Sequence, residues 1–169
     1  MRQSIVLVGV FGLFLFVGVP DVRAQEEAVS LDKIPKAVMD ALLAKFPKAK
    51  IDKCTRAKEG EDMVYDIELT QGRRKCEADI KENGTYINYE KAIQAKALPK
   101  AVRGAIEKRY PKATLKEIMA ETEVKGKEEK LTAYEVVLVT SDNKNVEVKV
   151  STDGKILEDT GAQKPEEKK

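Results

Sequence analysis

Two different hydrophobic periods alternate along the chain. Val38, Leu42 and Phe46 fall four residues apart, as do Val102, Ile106 and Tyr110, so two short segments each carry one apolar stripe. Pro35 and Pro99 suit the first turn of a helix, where a missing N–H leaves no bond unmade, and Pro47 and Pro111 close each segment. Helices of about three turns do not persist alone in water and must dock by the stripe. The stretch after each helical segment has period two. Tyr65, Ile67 and Leu69 alternate with Asp66, Glu68 and Thr70, and Cys76, Ala78 and Ile80 alternate with Glu77, Asp79 and Lys81. Tyr134, Val136 and Leu138, then Val146, Val148 and Val150, continue the pattern later in the chain. Asp142-Asn143-Lys144 and Thr152-Asp153-Gly154 supply turns between those strands.

The two halves are copies of one pattern. Ile34-Pro35-Lys36-Ala37-Val38 recurs as Leu98-Pro99-Lys100-Ala101-Val102, and Phe46-Pro47-Lys48-Ala49 recurs as Tyr110-Pro111-Lys112-Ala113 at the same offset. Tyr65 to Leu69 matches Tyr134 to Leu138, and Glu82-Asn83-Gly84 matches Thr152-Asp153-Gly154, at a slightly larger offset. The second copy therefore holds a short insertion, most simply within Glu121 to Lys130. The expectation is an α+β fold of two tandem repeats, each with one helix packed on an antiparallel sheet of about four strands. Residues 34–95 form the first repeat and 96–160 the second, after an N-terminal linker at 25–33 and before a polar disordered tail at 161–169.

Those motifs resemble a known family. A helix opening Leu-Pro-Lys-Ala-Val and closing Tyr-Pro-Lys-Ala, a Tyr-Glu-Val strand and a final Asp-Gly turn make the chain, from Ile34 to about Asp159, similar to the PepSY-like domain. This group is named for its likeness to β-lactamase-inhibitory proteins and to propeptide modules of secreted metallopeptidases. The resemblance implies two sheets joined edge to edge, helices on one face and an open face on the other. It also implies protein binding, in some relatives enzyme inhibition, and it transfers no contact residue.

The N-terminus fits an exported protein. Arg2, an apolar run from Ile5 to Val19, Pro20 and Val22-Arg23-Ala24 read as a signal peptide over residues 1–24. The run is shorter than the roughly 20 residues of a spanning helix, and the first cysteine is Cys54, so no thiol is placed to accept a lipid. A periplasmic or secreted chain with no membrane contact after cleavage is expected. Lys plus Arg number 31 against 29 Asp plus Glu, a formal net charge of +2, and this balance argues against nucleic acid as partner. On the same balance, nothing is expected to steer a charged ligand.

Candidate chemistry is thin. The sequence has no histidine, which removes the usual general base and zinc ligand. No cofactor, metal ligand or catalytic residue is assigned. Glu59, Glu61, Asp62, Glu128 and Glu129 lie among lysines in expected loops and read as solvated charge. Ser141-Asp142-Asn143 reads as a turn rather than a calcium loop. Asn83-Gly84-Thr85 satisfies a glycosylation sequon at a position where Asn-Gly also suits a turn. Tyr65, Tyr110 and Tyr134 are core positions, while Tyr86 and Tyr89 leave room for an exposed role.

Cys54 and Cys76 are expected to form a disulfide. An oxidising compartment favours the bond, and the repeat alignment sets the pair opposite Ile118 and Val146, on one core-facing side. Geometry opposes it. In a simple meander the two strands flank a third and lie about 9.5 Å apart, whereas a disulfide needs Cα atoms within about 7 Å. The bond therefore requires a bulge, frayed ends or another strand order; otherwise both are buried core thiols.

The expected function is a non-enzymatic module that binds an extracytoplasmic protein, as an inhibitor or regulator of a secreted hydrolase. The alternative is a small-ligand-binding or envelope-stress sensor module, which a pocket of convergent apolar groups would favour.

Overall fold

The computed structural model describes residues 26–161, so the expected signal peptide and all but the first residue of the expected tail lie outside the described residues. Strands β1 (Glu27–Ala28), β2 (Lys50–Glu59), β3 (Asp62–Gln71), β4 (Arg74–Lys81) and β5 (Tyr86–Ala92) are followed by β6 (Thr114–Lys125), β7 (Glu128–Val139), β8 (Asn145–Ser151) and β9 (Ile156–Asp159). They form one nine-stranded sheet in which each strand pairs antiparallel with the next in sequence. Helix α1 (Lys36–Lys45) precedes β2, and α2 (Lys100–Arg109) precedes β6. The segment expected to be a linker contributes β1, which pairs with β2 at Thr55 and Arg56, and a 3-10 turn at Leu31–Lys33.

Both helices begin directly after a proline and stop at an aromatic residue. Pro35 and Pro99 stand at the N-cap, one residue before the helix, and their carbonyls accept the first bonds, from Met39 and Arg103. Phe46 and Tyr110 donate their N–H to Leu42 and Ile106, after which the prolines end the helix and Lys48 and Lys112 turn the chain at φ 63° and 65°.

The expected stripes point into the sheet. Val38, Leu42 and Phe46 pack on Tyr65, Ile67, Leu69 and Ile80 beneath α1, while Val102 and Ile106 pack on Val136, Leu138, Val148 and Val150 beneath α2. At roughly 1.5–3 kcal/mol for each large side chain buried, these contacts hold two helices too short to stand alone. The clusters meet at the centre, where Val124 of β6 packs on the first and Ile93, just past β5, on the second.

Three hairpins turn in two residues, with Gly60, Gly72 or Gly126 first and at positive φ, the arrangement of a type II′ turn. Gly84 and Gly154 do different work. Their turns, at φ 87° and 91°, tuck beneath the helices so closely that a Cβ on either would lie 2.8 Å from the carbonyl oxygen of Ala37 or Ala101.

The expected disulfide is not formed: Cys54 and Cys76 are free, buried thiols. Cys54 pairs across to Ile67 and Cys76 to Leu69, so the thiols occupy strands on either side of β3 and are offset along it as well. The meander thus realises the geometry that forbids the bond. Burial pushes the Cys54 thiol up to about 11, with Asp66 adding to the shift, and burial raises Cys76 in the same direction. Denatured protein kept from reductant should titrate two thiols per chain, and native protein should react slowly. One disulfide and no free thiol in the exported protein would contradict the structure.

A second test concerns the tucked turns. Gly84→Ala and Gly154→Ala should each lower unfolding free energy by more than about 1 kcal/mol, because a strained backbone is combined with a steric clash. Gly72→Ala, whose Cβ would meet nothing within 4 Å, should cost less. Urea melts of the three variants make the comparison.

Candidate functional site

Alternation sends every second strand residue away from the helices, and among those residues the acids outnumber the lysines. The antiparallel register aligns them in rows across the sheet. In one row Thr55, Asp66, Asp79, Asn88 and Glu123 are successive cross-strand partners. In the next, Lys53, Glu68, Glu77, Glu90 and Glu121 follow one another from β2 to β6. A third row places Glu135 between Met119 and Lys149, with Glu158 beyond. No described element covers these rows, because α1 and α2 both pack on the opposite face.

Like charges directly opposite on neighbouring strands repel, and here the repulsion acts where water is partly excluded. Burial, reinforced by Asp79, Glu77 and Glu68, pushes Asp66 up to about 8. Burial, then Glu135, Glu77 and Glu121, pushes Glu90 up to about 9. Burial also raises Asp79, to about 6, although a hydrogen bond of 2.9 Å donated by Asn88 Nδ2 favours the charged form. Glu135 is raised by burial and by its neighbour Glu147. Glu77 is the common perturber, acting on Asp66, Asp79, Glu90, Glu135 and Glu147.

Cations relieve part of this. Lys75 Nζ lies 2.9 Å from Glu77 and 2.8 Å from Glu117, and Lys53 Nζ lies 3.1 Å from Glu68. Lys149 pairs with Glu121, which is only 6% exposed. For Lys75 and Lys149 burial disfavours the ammonium, but the acids around each outweigh it and raise the pKa. Glu90 Oε2 remains buried with no hydrogen-bond partner.

The residues singled out from the sequence lie elsewhere. Tyr86 and Tyr89 take no exposed role: Tyr86 donates to the Ala41 carbonyl at 3.2 Å, and Tyr89, 9% exposed, donates to Glu129 Oε2 at 2.7 Å. Glu129 is more than solvated loop charge, since its other oxygen meets Lys45 Nζ at 2.5 Å while that ammonium sits over the Tyr89 ring. Asp62 likewise pairs with Lys81 at 2.6 Å. Asn83 Oδ1 accepts from the Thr85 N–H, and Asp142 accepts from Thr140 within a turn at Asn143. Among the described residues no group of three or more acids or cysteines is gathered as a metal would require.

Sequence reasoning missed the acidic face, although its signal was there. The solvent-side alternates of the strands legible in the sequence include Asp66, Glu68, Glu77, Asp79, Glu135 and Glu147 against Lys81 and Lys149, an acidic excess. The near-neutral total conceals this. Lysines and arginines are spread over helices, turns and strands alike, with Lys36, Lys100, Lys108 and Arg109 on the helices and Lys53, Lys75 and Lys149 on the strands.

The raised carboxyls fix the sign of a pH effect. Between the ordinary carboxyl range near 4 and the folded values of about 6 to 9, the native state holds protons that the unfolded chain has released. Stability must therefore fall as pH rises through that window. Urea unfolding should give a larger free energy at pH 5 than at pH 9, by on the order of 1–3 kcal/mol after screening, and Glu90→Gln should flatten the slope. A rise in stability over the same range would show these carboxyls ionised throughout.

Comparison with known proteins places this arrangement. A family model described as beta-lactamase-inhibitor-like, PepSY-like matches residues 21–88 and again 63–158. No curated protein matches the chain in sequence. Among solved structures, a BLIP-like protein from Bacteroides fragilis is 20% identical with a TM-score of 0.52, over 78% of this chain and 90% of its own. A protein ascribed to the periplasm of Bacteroides eggerthii is 9% identical with a TM-score of 0.56, over 74% and 86%. A DUF2874 family protein from Bacteroides uniformis is 12% identical with a TM-score of 0.56, over 74% and 87%. At these identities the likeness is one of fold.

Proposed function

The chain belongs to the beta-lactamase-inhibitor-like, PepSY-like family, and from that premise we propose that it is an exported, non-enzymatic module that binds a protein partner through the uncovered face of its sheet. The observation carrying this reading is architectural. Both helices pack on one face, and the other presents nine strands of side chains with no described element over them. Export to the periplasm is supported by the signal-like N-terminus and by the periplasmic ascription of the Bacteroides eggerthii neighbour. A regulatory or inhibitory action on a secreted hydrolase is the finer form of the proposal, and it draws on the BLIP-like neighbour.

The absence of histidine supports a binding role. So does the setting of the carboxylates. They stand on an open sheet, and each of two hollows beside α2 has one carboxylate in its lining, Glu107 beside Ile106 and Tyr110 and Glu117 beside Ile93 and Ile118, rather than a facing pair.

The same reading treats the molecule as two copies of one unit, α1 with β2–β5 and α2 with β6–β9. Its support is the recurrence of the proline N-caps, of the left-handed Lys48 and Lys112, and of Gly84 and Gly154 against Ala37 and Ala101.

Photo-crosslinking distinguishes the faces. A crosslinking residue in place of Asn88, on the uncovered face, should trap a protein partner in a periplasmic extract, whereas one in place of Glu107, on the exposed side of α2, should not. Crosslinks from position 107 alone, or copurification of a small molecule with no protein, would overturn the proposal.

A further inference from the structure

The uncovered face also specifies the chemistry of what it fits. Lys53 apart, the row Glu68, Glu77, Glu90 and Glu121 sets one carboxylate on each of four neighbouring strands, a step of about 4.8 Å. Asp66 and Asp79 run beside it in the adjacent row. A single hard cation such as Ca²⁺ wants six to eight oxygens converging at about 2.3–2.6 Å, and among the described residues no such convergence exists. Acids strung in a line instead match a line of positive charges. Nucleic acid has the wrong sign. Glu68, Glu77 and Glu121 each have a lysine beside them, Lys53, Lys75 and Lys149, whereas Glu90 Oε2, in the middle of the row, has no hydrogen-bond partner.

We propose that this face docks a lysine- and arginine-rich polypeptide segment, whose cationic side chains lie along the row from Glu68 to Glu121. The inference rests on the reading that the uncovered face is the binding surface, and it adds the charge of the partner. An arriving ammonium or guanidinium offsets the repulsion that Glu77 exerts on Asp66, Asp79 and Glu90, and it favours their ionised forms. Binding therefore releases protons near neutral pH and tightens as pH rises. The groups that face Asp66 and Glu90 from their neighbours are Lys53, Glu68, Glu77 and Asp79 for the first, and Glu77, Glu121, Glu135 and Lys149 for the second.

The formal net charge of +2 makes the test discriminating, because the total charge gives the protein no reason to attract a polycation. The probe is a labelled peptide of about ten alternating lysines and arginines, titrated with the mature chain and followed by fluorescence anisotropy. Saturable binding is expected, weakened about tenfold or more between low and physiological salt and stronger at pH 8.5 than at pH 5.5. The triple variant E68Q/E77Q/E90Q should lose about tenfold or more in affinity. Asn88→Lys, which puts a positive charge in the adjacent row, gives an independent loss should the triple variant fail to fold. Asp40→Asn with Glu107→Gln, on the helices, should leave binding unchanged.

Three results would overturn the proposal: no saturable binding, equal losses from helix and sheet variants, or Ca²⁺ binding at the row with none of the peptide. The outcome separates from that of the docking proposal. Crosslinks from position 88 to a partner segment devoid of lysine and arginine sink the cationic inference alone, whereas crosslinks confined to position 107 sink the docking surface itself.

Discussion

The pairing of β5 with β6 is the constraint on which the rest of this molecule depends. Asn88 to Ala92 runs antiparallel to Glu123 to Met119 and joins the strands that come after α1 to those that come after α2. Because side chains alternate along each strand, this register also decides which faces become continuous. Tyr89 meets Thr122 and Lys91 meets Ala120 on the helix side, while Glu90 meets Glu121 on the other. A shift of one residue would carry the apolar set of one half onto the acidic face of the other. With the observed register the two cores adjoin, and the row of Glu68, Glu77, Glu90 and Glu121 runs unbroken across the join.

That continuity has an electrostatic cost. Acids that would be unremarkable on an isolated hairpin become neighbours of neighbours, and their ionisation is pushed upward together. Neutralisation by Lys53, Lys75 and Lys149 is partial, and burial with like-charge repulsion favours protons on Asp66 and Glu90 at neutral pH. A surface held in this condition gains from any external positive charge, and the uncovered face leaves room for one to approach. Stability and recognition are thus coupled through one set of carboxyls.

A second bond across the middle comes from the longer hairpin. β6 and β7 each run two residues beyond β2 and β3, and their added length carries Glu129 to Lys45 and Tyr89. The longer hairpin thereby has a physical role, holding the C-terminal end of α1 to the later strands of the sheet. Tyr89 also packs edge-on against Phe46 and Tyr86 in the core beneath α1.

The sequence by itself determined whatever depends on a residue and its close neighbours along the chain. The stripes of Val38-Leu42-Phe46 and Val102-Ile106-Tyr110, the prolines that bound each helix and the alternation of the later strands were all legible, because helix and strand periods are properties of a single segment. Strand order, register and the partners of Glu129 were decided only by tertiary structure, since each brings together residues far apart in sequence. Cys54 and Cys76 show the division most clearly. Their burial came from alternation, but their separation came from β3 lying between them. The acidic face falls on both sides of that line: its residues could be read strand by strand, yet their raised pKa values exist only because folding sets one carboxylate beside the next and draws both partly out of water.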